Sequence, residues 1–102
     1  MYLIQILLPL YDNDKNPVPA GNFAGVRQKL ATTFGGVTAY ANSPATGLWK
    51  GDDQELVKDK IVTYEVMSED LDRAWWGHMK GELEVLFRQE VIIIRAAEIE
   101  IL

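Results

Sequence analysis

Four residues of this 102-residue chain could do chemistry as a set: Gln5, Tyr40, Glu65 and Arg95. Each lies in a stretch whose residues alternate with the two-residue period of a strand. In the fold argued below they share one sheet face, as a row reading Arg95, Gln5, Glu65, Tyr40. A guanidinium and a carboxylate flanking an amide, in an apolar surround, suit a small anionic or carbonyl ligand. Arg95 would polarise an oxygen and Glu65 would move a proton, with Gln5 and Tyr40 as ligand contacts. The plainer reading is a cross-strand ion pair that fixes the register of an interface.

A second set is His78 with Glu82, four residues apart and so on one side of a helix. As a general base the pair needs a pocket beside it, and a helix flank seldom supplies one, so a satisfied boundary histidine at the margin of the apolar stripe is the plainer reading. The third set is aromatic. Trp49 sits in a Gly- and Pro-rich segment, where it either plugs the edge of the core or walls a pocket or subunit contact. Trp75 reads as core. Trp76 reads as the margin of a helical stripe, free to meet Trp49, a ligand or a partner, and Tyr11 completes the aromatic set.

Composition removes other chemistries. There are no cysteines, which excludes disulfides, thiolate zinc sites and cysteine nucleophiles, and one histidine argues against a transition-metal site. Asp12-Asn13-Asp14 is reminiscent of a calcium loop, but the glycine and the distal glutamate of that pattern are missing. No metal and no cofactor is expected. Fifteen acidic against ten basic residues give a net charge of −5, so the phosphates of nucleic acid would repel the chain on average. The apolar start, Met1–Leu10, lacks a basic leader and is too short to span a bilayer. The expectation is a soluble, cytoplasmic protein with no membrane partner.

The elements that must position these residues follow in order. Tyr2–Leu8 reads as a strand apolar on both faces and closed by Pro9. Tyr11–Pro19 is a turn-rich connection. Ala20–Phe34 reads as a helix with Phe23, Val26, Leu30 and Phe34 on one side, ended by Gly35 in the left-handed conformation. Val37–Ala41 reads as a short strand, and Asn42–Asp59 as a long loop with at most a partial hairpin. Lys60–Met67 alternates cleanly as a strand. Ser68–Glu90 carries a helical stripe of Leu71, Trp75, Met79, Leu83 and Leu86, widened by Trp76 and Phe87, with Ser68 as its cap and Arg88 near its last turn. Val91–Ala97 is the last strand, and Glu98–Leu102 keeps the alternation.

Strand, helix, strand, strand, helix, strand is the ferredoxin-like βαββαβ order, an α+β fold spanning residues 1–102 as one domain. Right-handed crossovers place both helices on one face of a four-stranded antiparallel sheet of order 4-1-3-2. The other face then shows Leu3, Leu7, Met67 and Ile93, too apolar to remain in water as a patch. Here the chain resembles the dimeric α/β-barrel superfamily, whose open sheets pair. The resemblance implies a homodimer with pockets between sheet and helices. The segments FGGVTAY (Phe34–Tyr40), GLW (Gly47–Trp49) and AWW (Ala74–Trp76) are similar to an uncharacterised family of small bacterial proteins, a likeness that transfers no residue roles. The functional expectation is a homodimeric small-molecule-binding protein or a cofactor-independent enzyme of isomerase or monooxygenase type, by analogy of fold. The alternative is a non-catalytic binding or assembly protein whose open face is only an interface. A cavity beside the polar row speaks for the first, and a fully paired row without one speaks for the second.

Overall fold

The computed structural model describes residues 1–50 and 56–102, leaving aside the side chains at 42, 43, 49 and 56–58. The chain runs β1 (Tyr2–Pro9), α1 (Ala20–Phe34), β2 (Thr38–Lys50), β3 (Leu56–Ser68), α2 (Arg73–Leu86) and β4 (Ile93–Glu98). The strands form one antiparallel sheet in the order β2-β3-β1-β4, which is the expected 4-1-3-2. The fold is α+β. Among the described residues no helix is long and apolar enough to cross a membrane.

The two-residue period of the strands sorts their side chains. Ile4, Ile6 and Leu8 of β1 and Val62, Tyr64 and Val66 of β3 are buried against Val26 and Leu30 of α1 and Trp76, Met79 and Leu83 of α2. Both helices therefore pack on that one face. The opposite face keeps Leu3, Gln5, Leu7, Thr63 and Glu65 only half-buried, and Met67, Ile93 and Arg95 exposed. Within the core the Tyr64 hydroxyl accepts a hydrogen bond of 2.7 Å from Nη1 of Arg27 on α1.

α1 has the expected bounds for the expected reasons. Pro19 supplies the last extended residue before it, and Gly35 ends it at φ 81°, its N–H on the Ala31 carbonyl. The Tyr11–Pro19 connection is organised by Asp12, whose Oδ1 accepts the N–H groups of Asp14 and Asn16 at 2.8 and 3.0 Å. That carboxylate is turned to its own backbone as an Asx turn rather than to a cation.

Three expectations need correction. First, Asn42–Asp59 is not a loop for most of its length. Ala45–Lys50 pairs with Leu56–Ile61 residue for residue, after a shift of register between Tyr40 and Ala45. β1 ends opposite Ile61, so this ribbon projects past the body of the sheet. Cross-strand pairing overrides the turn-like composition of the segment.

Second, Ser68 does not cap the main helix. Ser68 ends β3, and Asp72 is the cap, accepting the Trp75 N–H at 3.0 Å. Glu69 and Asp70 precede the helix. Arg88 lies past its end at φ 52°, where it pairs with Asp14 at 3.2 Å.

Third, the stripe is phased on the other tryptophan. Trp76 is buried and Trp75 half-buried, while Leu86 faces solvent. Trp76 joins the core between the helices and the sheet, while Trp75 packs at its margin. Phe34, the last residue of α1, touches both, stacking on Trp76 at 5.3 Å and 13° and meeting Trp75 edge-on at 5.2 Å and 88°.

Candidate functional site

The polar row exists as a chain of hydrogen bonds crossing all four strands. Gln5 stands directly opposite Glu65 on one side and Arg95 on the other. Arg95 Nε donates to Gln5 Oε1 at 2.7 Å, and Gln5 Nε2 donates to Glu65 Oε1 at 2.6 Å. Tyr40, one diagonal step away on β2, donates its hydroxyl to Glu65 Oε2 at 3.3 Å. Strand parity places all four on the face the helices do not cover.

Their electrostatics are coupled. The Glu65 carboxylate holds the Tyr40 phenol above its ordinary value of 10.0, through its charge first and its hydrogen bond second. Both Glu65 oxygens and both ends of the Gln5 amide are occupied within the row. Arg95 spends only Nε there. Its two terminal nitrogens have no hydrogen bond or ion pair among the described residues, and such a fork fits a carboxylate or phosphate edge.

A groove of about 470 Å³ adjoins the row at the Glu65 end, lined by Leu3, Phe34, Gly35, Thr38, Glu65 and Met67 among others. The turn at Gly35 and Gly36 forms its far wall. Sequence reasoning had the turn but not its role. The signal was present, since a left-handed glycine three residues before β2 puts that turn beside the β3 residue facing Thr38, which is Glu65.

The remaining candidates do not join the row. His78 makes the expected contact with Glu82, Nε2 to Oε1 at 2.9 Å, but on the outer surface of α2, with the His78 side chain 78% exposed. Glu82 is shared with Lys29 of α1 at 2.9 Å, and that lysine is the first cause holding the Glu82 carboxyl below its usual value, with His78 a lesser one. The surface beside His78 is a shallow strip of Gly77, Gly81, Val85 and Leu86. The sheet and the core separate His78 from Glu65 and Arg95, so these three do not form one catalytic set.

Trp76 is likewise on the helix side. It is core, and it also floors a smaller cleft of about 230 Å³ between α2 and β4, with Leu71, Arg73, Lys80 and Ile94. Trp49 occupies a β2 position opposite Val57, and its side chain lies outside the described residues. Tyr11 is exposed and borders a polar cleft of about 650 Å³ between the first connection and the hairpin ribbon, with Asp12, Lys15, Thr46, Asp59 and Gln89.

Fold and site together define a small α+β protein with a helix-backed antiparallel sheet and a polar band across its bare face. Solved structures are similar to it, among them the following two. One is a phage SAM lyase in complex with S-methyl-5'-thioadenosine, at 18% identity over 95% of this chain and 80% of that chain, with a TM-score of 0.65. The other is a point mutant of CutA1 from Pyrococcus horikoshii OT3, at 12% identity over 100% of this chain and 86% of that chain, with a TM-score of 0.62. Likeness at these identities is a likeness of fold. No protein-family profile and no curated protein sequence matches the chain.

Proposed function

We propose that the chain is a ferredoxin-like domain whose bare sheet face is its working surface, binding a small organic anion or carbonyl compound in a homodimer of dimeric α/β-barrel type. One observation carries this reading: Arg95, anchored through Nε by a row that crosses the whole sheet, leaves its two-nitrogen end unpaired among the described residues, on an apolar face. Leu3, Leu7, Met67 and Ile93 around the row supply the apolar contact of a ligand or a second copy. The groove at Glu65 exceeds the roughly 300 Å³ that a small-molecule site needs. The phage lyase, solved with S-methyl-5'-thioadenosine, is a case of a similar fold holding a small organic molecule.

In a catalytic version of this reading, of isomerase or cofactor-independent monooxygenase type, Arg95 polarises a substrate oxygen. Glu65 then moves a proton only after Gln5 or Tyr40 lets go of it. That occupied carboxylate favours a second reading, a binding or assembly protein whose row only fixes an interface. We place the protein in the bacterial cytoplasm, without nucleic-acid or membrane partners, in keeping with its net charge of −5.

A thermal-shift screen of carboxylates, phenols and quinones tests the two readings. Stabilisation by a carboxylate or carbonyl compound that is lost in Arg95→Ala and kept in His78→Ala is the expected result. No shift with any compound, together with a melting temperature that rises with protein concentration, leaves only the interface.

A further inference from the structure

The two edges of the sheet are built differently. The β2 edge carries the devices that stop one sheet from adding to another: Pro44 lies within it, and its register slips between Tyr40 and Ala45. β4 carries none of them. Ile93–Glu98 contains no proline, glycine or lysine, and it pairs with β1 in unbroken register. Among the described residues no strand lies on its outer side.

The register fixes which backbone groups stay free. Ile99 N–H bonds to the Met1 carbonyl at 2.9 Å, continuing the β1–β4 ladder in which Tyr2 opposes Glu98. Odd-numbered β4 residues therefore turn their N–H and C=O groups toward β1. Ile94, Ala96 and Glu98 turn theirs outward, three consecutive rungs of an antiparallel ladder with no partner among the described residues.

Side chains beside those rungs are self-complementary. On the helix side of β4, the cleft floored by Ile4, Leu71, Trp76 and Ile94 is bordered by Arg73, which has no ion pair among the described residues, and by Lys80, which is held by Glu84. Glu98, at the end of the strand, is exposed and has only the Tyr2 hydroxyl at 3.2 Å. An antiparallel two-fold with Ala96 on its axis sets Ile94 opposite Glu98 of the partner subunit, on the same face. It delivers that carboxylate to the cleft beside Arg73, twice by symmetry, and sets an alanine on the two-fold axis.

We propose that β4 is a strand-addition edge whose partner is β4 of a second copy of this chain, joining two sheets into one. The proposal does not rest on the bare-face reading, because edge pairing leaves that face uncovered.

Hydrogen–deuterium exchange of the full chain at micromolar and near-millimolar concentration reads the edge directly. The Ile94, Ala96 and Glu98 amides are expected to slow by about tenfold or more at the higher concentration. The solution mass should reach at least twice the 11.5 kDa of one chain. Ala96→Pro removes an outward N–H without touching the β1 ladder, so it should keep the circular-dichroism spectrum and lower the mass. Glu98→Arg should weaken association about tenfold, and adding Arg73→Glu should recover it. The proposal is overturned if those three amides exchange equally fast at both concentrations. It also fails if a folded Ala96→Pro keeps the parent mass. Should Ala96→Pro not fold, exchange in the parent decides. A dimer through the bare face leaves the three amides fast and responds to changes at Met67 instead, so failure of one interface is distinguishable from failure of the other.

Discussion

Glu65 receives its two hydrogen bonds from neighbouring strands on either side, Gln5 on β1 and Tyr40 on β2, so it ties β2 to the rest of the row. The charge that holds the Tyr40 phenol above its ordinary value is that carboxylate's, so Glu65→Gln should return the phenol toward 10.0 in an ultraviolet titration. Because the folded value is the raised one, the contribution to stability is complete below the unfolded value and is lost as pH rises through the folded one. Melting temperature should therefore fall on the alkaline side, and fall less in Glu65→Gln; an unchanged Tyr40 titration in that variant would show the contact is not made in solution. Glu84 makes the opposite case. Its Oε2 accepts from Lys80 Nζ at 2.6 Å and from the buried Ile92 N–H at 3.0 Å, tying the end of α2 to the approach to β4. Lys80 first and Ile92 second hold its carboxyl below the usual 4.5, so that contribution is present above this value and disappears as pH falls through the folded one. Glu84→Ala leaves the Ile92 N–H without its acceptor and should lower Tm by roughly 5 °C at neutral pH. The deficit should shrink in acid, where the parent loses the same contact.

At the scale of elements, the end of α1 is locked to the start of α2 by three rings. Phe34 stacks on Trp76, and Trp75 stands edge-on to Trp76 at 4.7 Å and 82°. Trp76 is 6% exposed. Trp76→Ala should cost about 3–5 kcal/mol in denaturant unfolding. Trp75→Ala should cost clearly less, since half-burial forfeits less contact; equal costs would put the stripe back on the phase that the spacing first suggests. That first phase shows what a linear pattern can and cannot carry. Stripes through Trp75 and through Trp76 both run on to Met79 and Leu83, and only the packing of α2 against the rest of the core, which takes in Trp76 and leaves Trp75 at its margin, separates them. α1 was legible because both its ends carry backbone constraints, Pro19 before and Gly35 after. The polar row was legible for a similar reason: once a strand is half-buried, parity alone assigns every side chain to a face. The ribbon was legible only as a partly formed hairpin within a loop, because Pro44 and Gly47 are loop residues by propensity and the pairing of Ala45–Lys50 with Leu56–Ile61 is a property of two segments together. The α2 start was ambiguous because Ser68, Asp70 and Asp72 are all competent caps, and β3 continuing through Ser68 removes the first of them.

For the whole molecule, the unequal treatment of the two sheet faces is the fact with the widest consequences. One face is sealed by both helices. The other leaves Met67 53% and Ile93 37% exposed, with half-buried Leu3 directly opposite Met67. A monomer gains little by holding these residues in water, whereas a second copy applied to the face removes them from it together. Met67→Glu separates the two cases. In an isolated chain the new carboxylate points into solvent, and folding stability should move by no more than about 0.5 kcal/mol. In a pair joined through this face it is buried without a counter-ion, and the dissociation constant should rise roughly a hundredfold, as for a charge placed at the centre of an interface. Sedimentation across a concentration series, run beside denaturant melts of the same samples, measures both. Weaker association with unchanged folding is the expected pair of results. Unchanged association would mean that the apolar face meets no second copy, and the row from Arg95 to Tyr40 would then have to find its ligand on one chain alone.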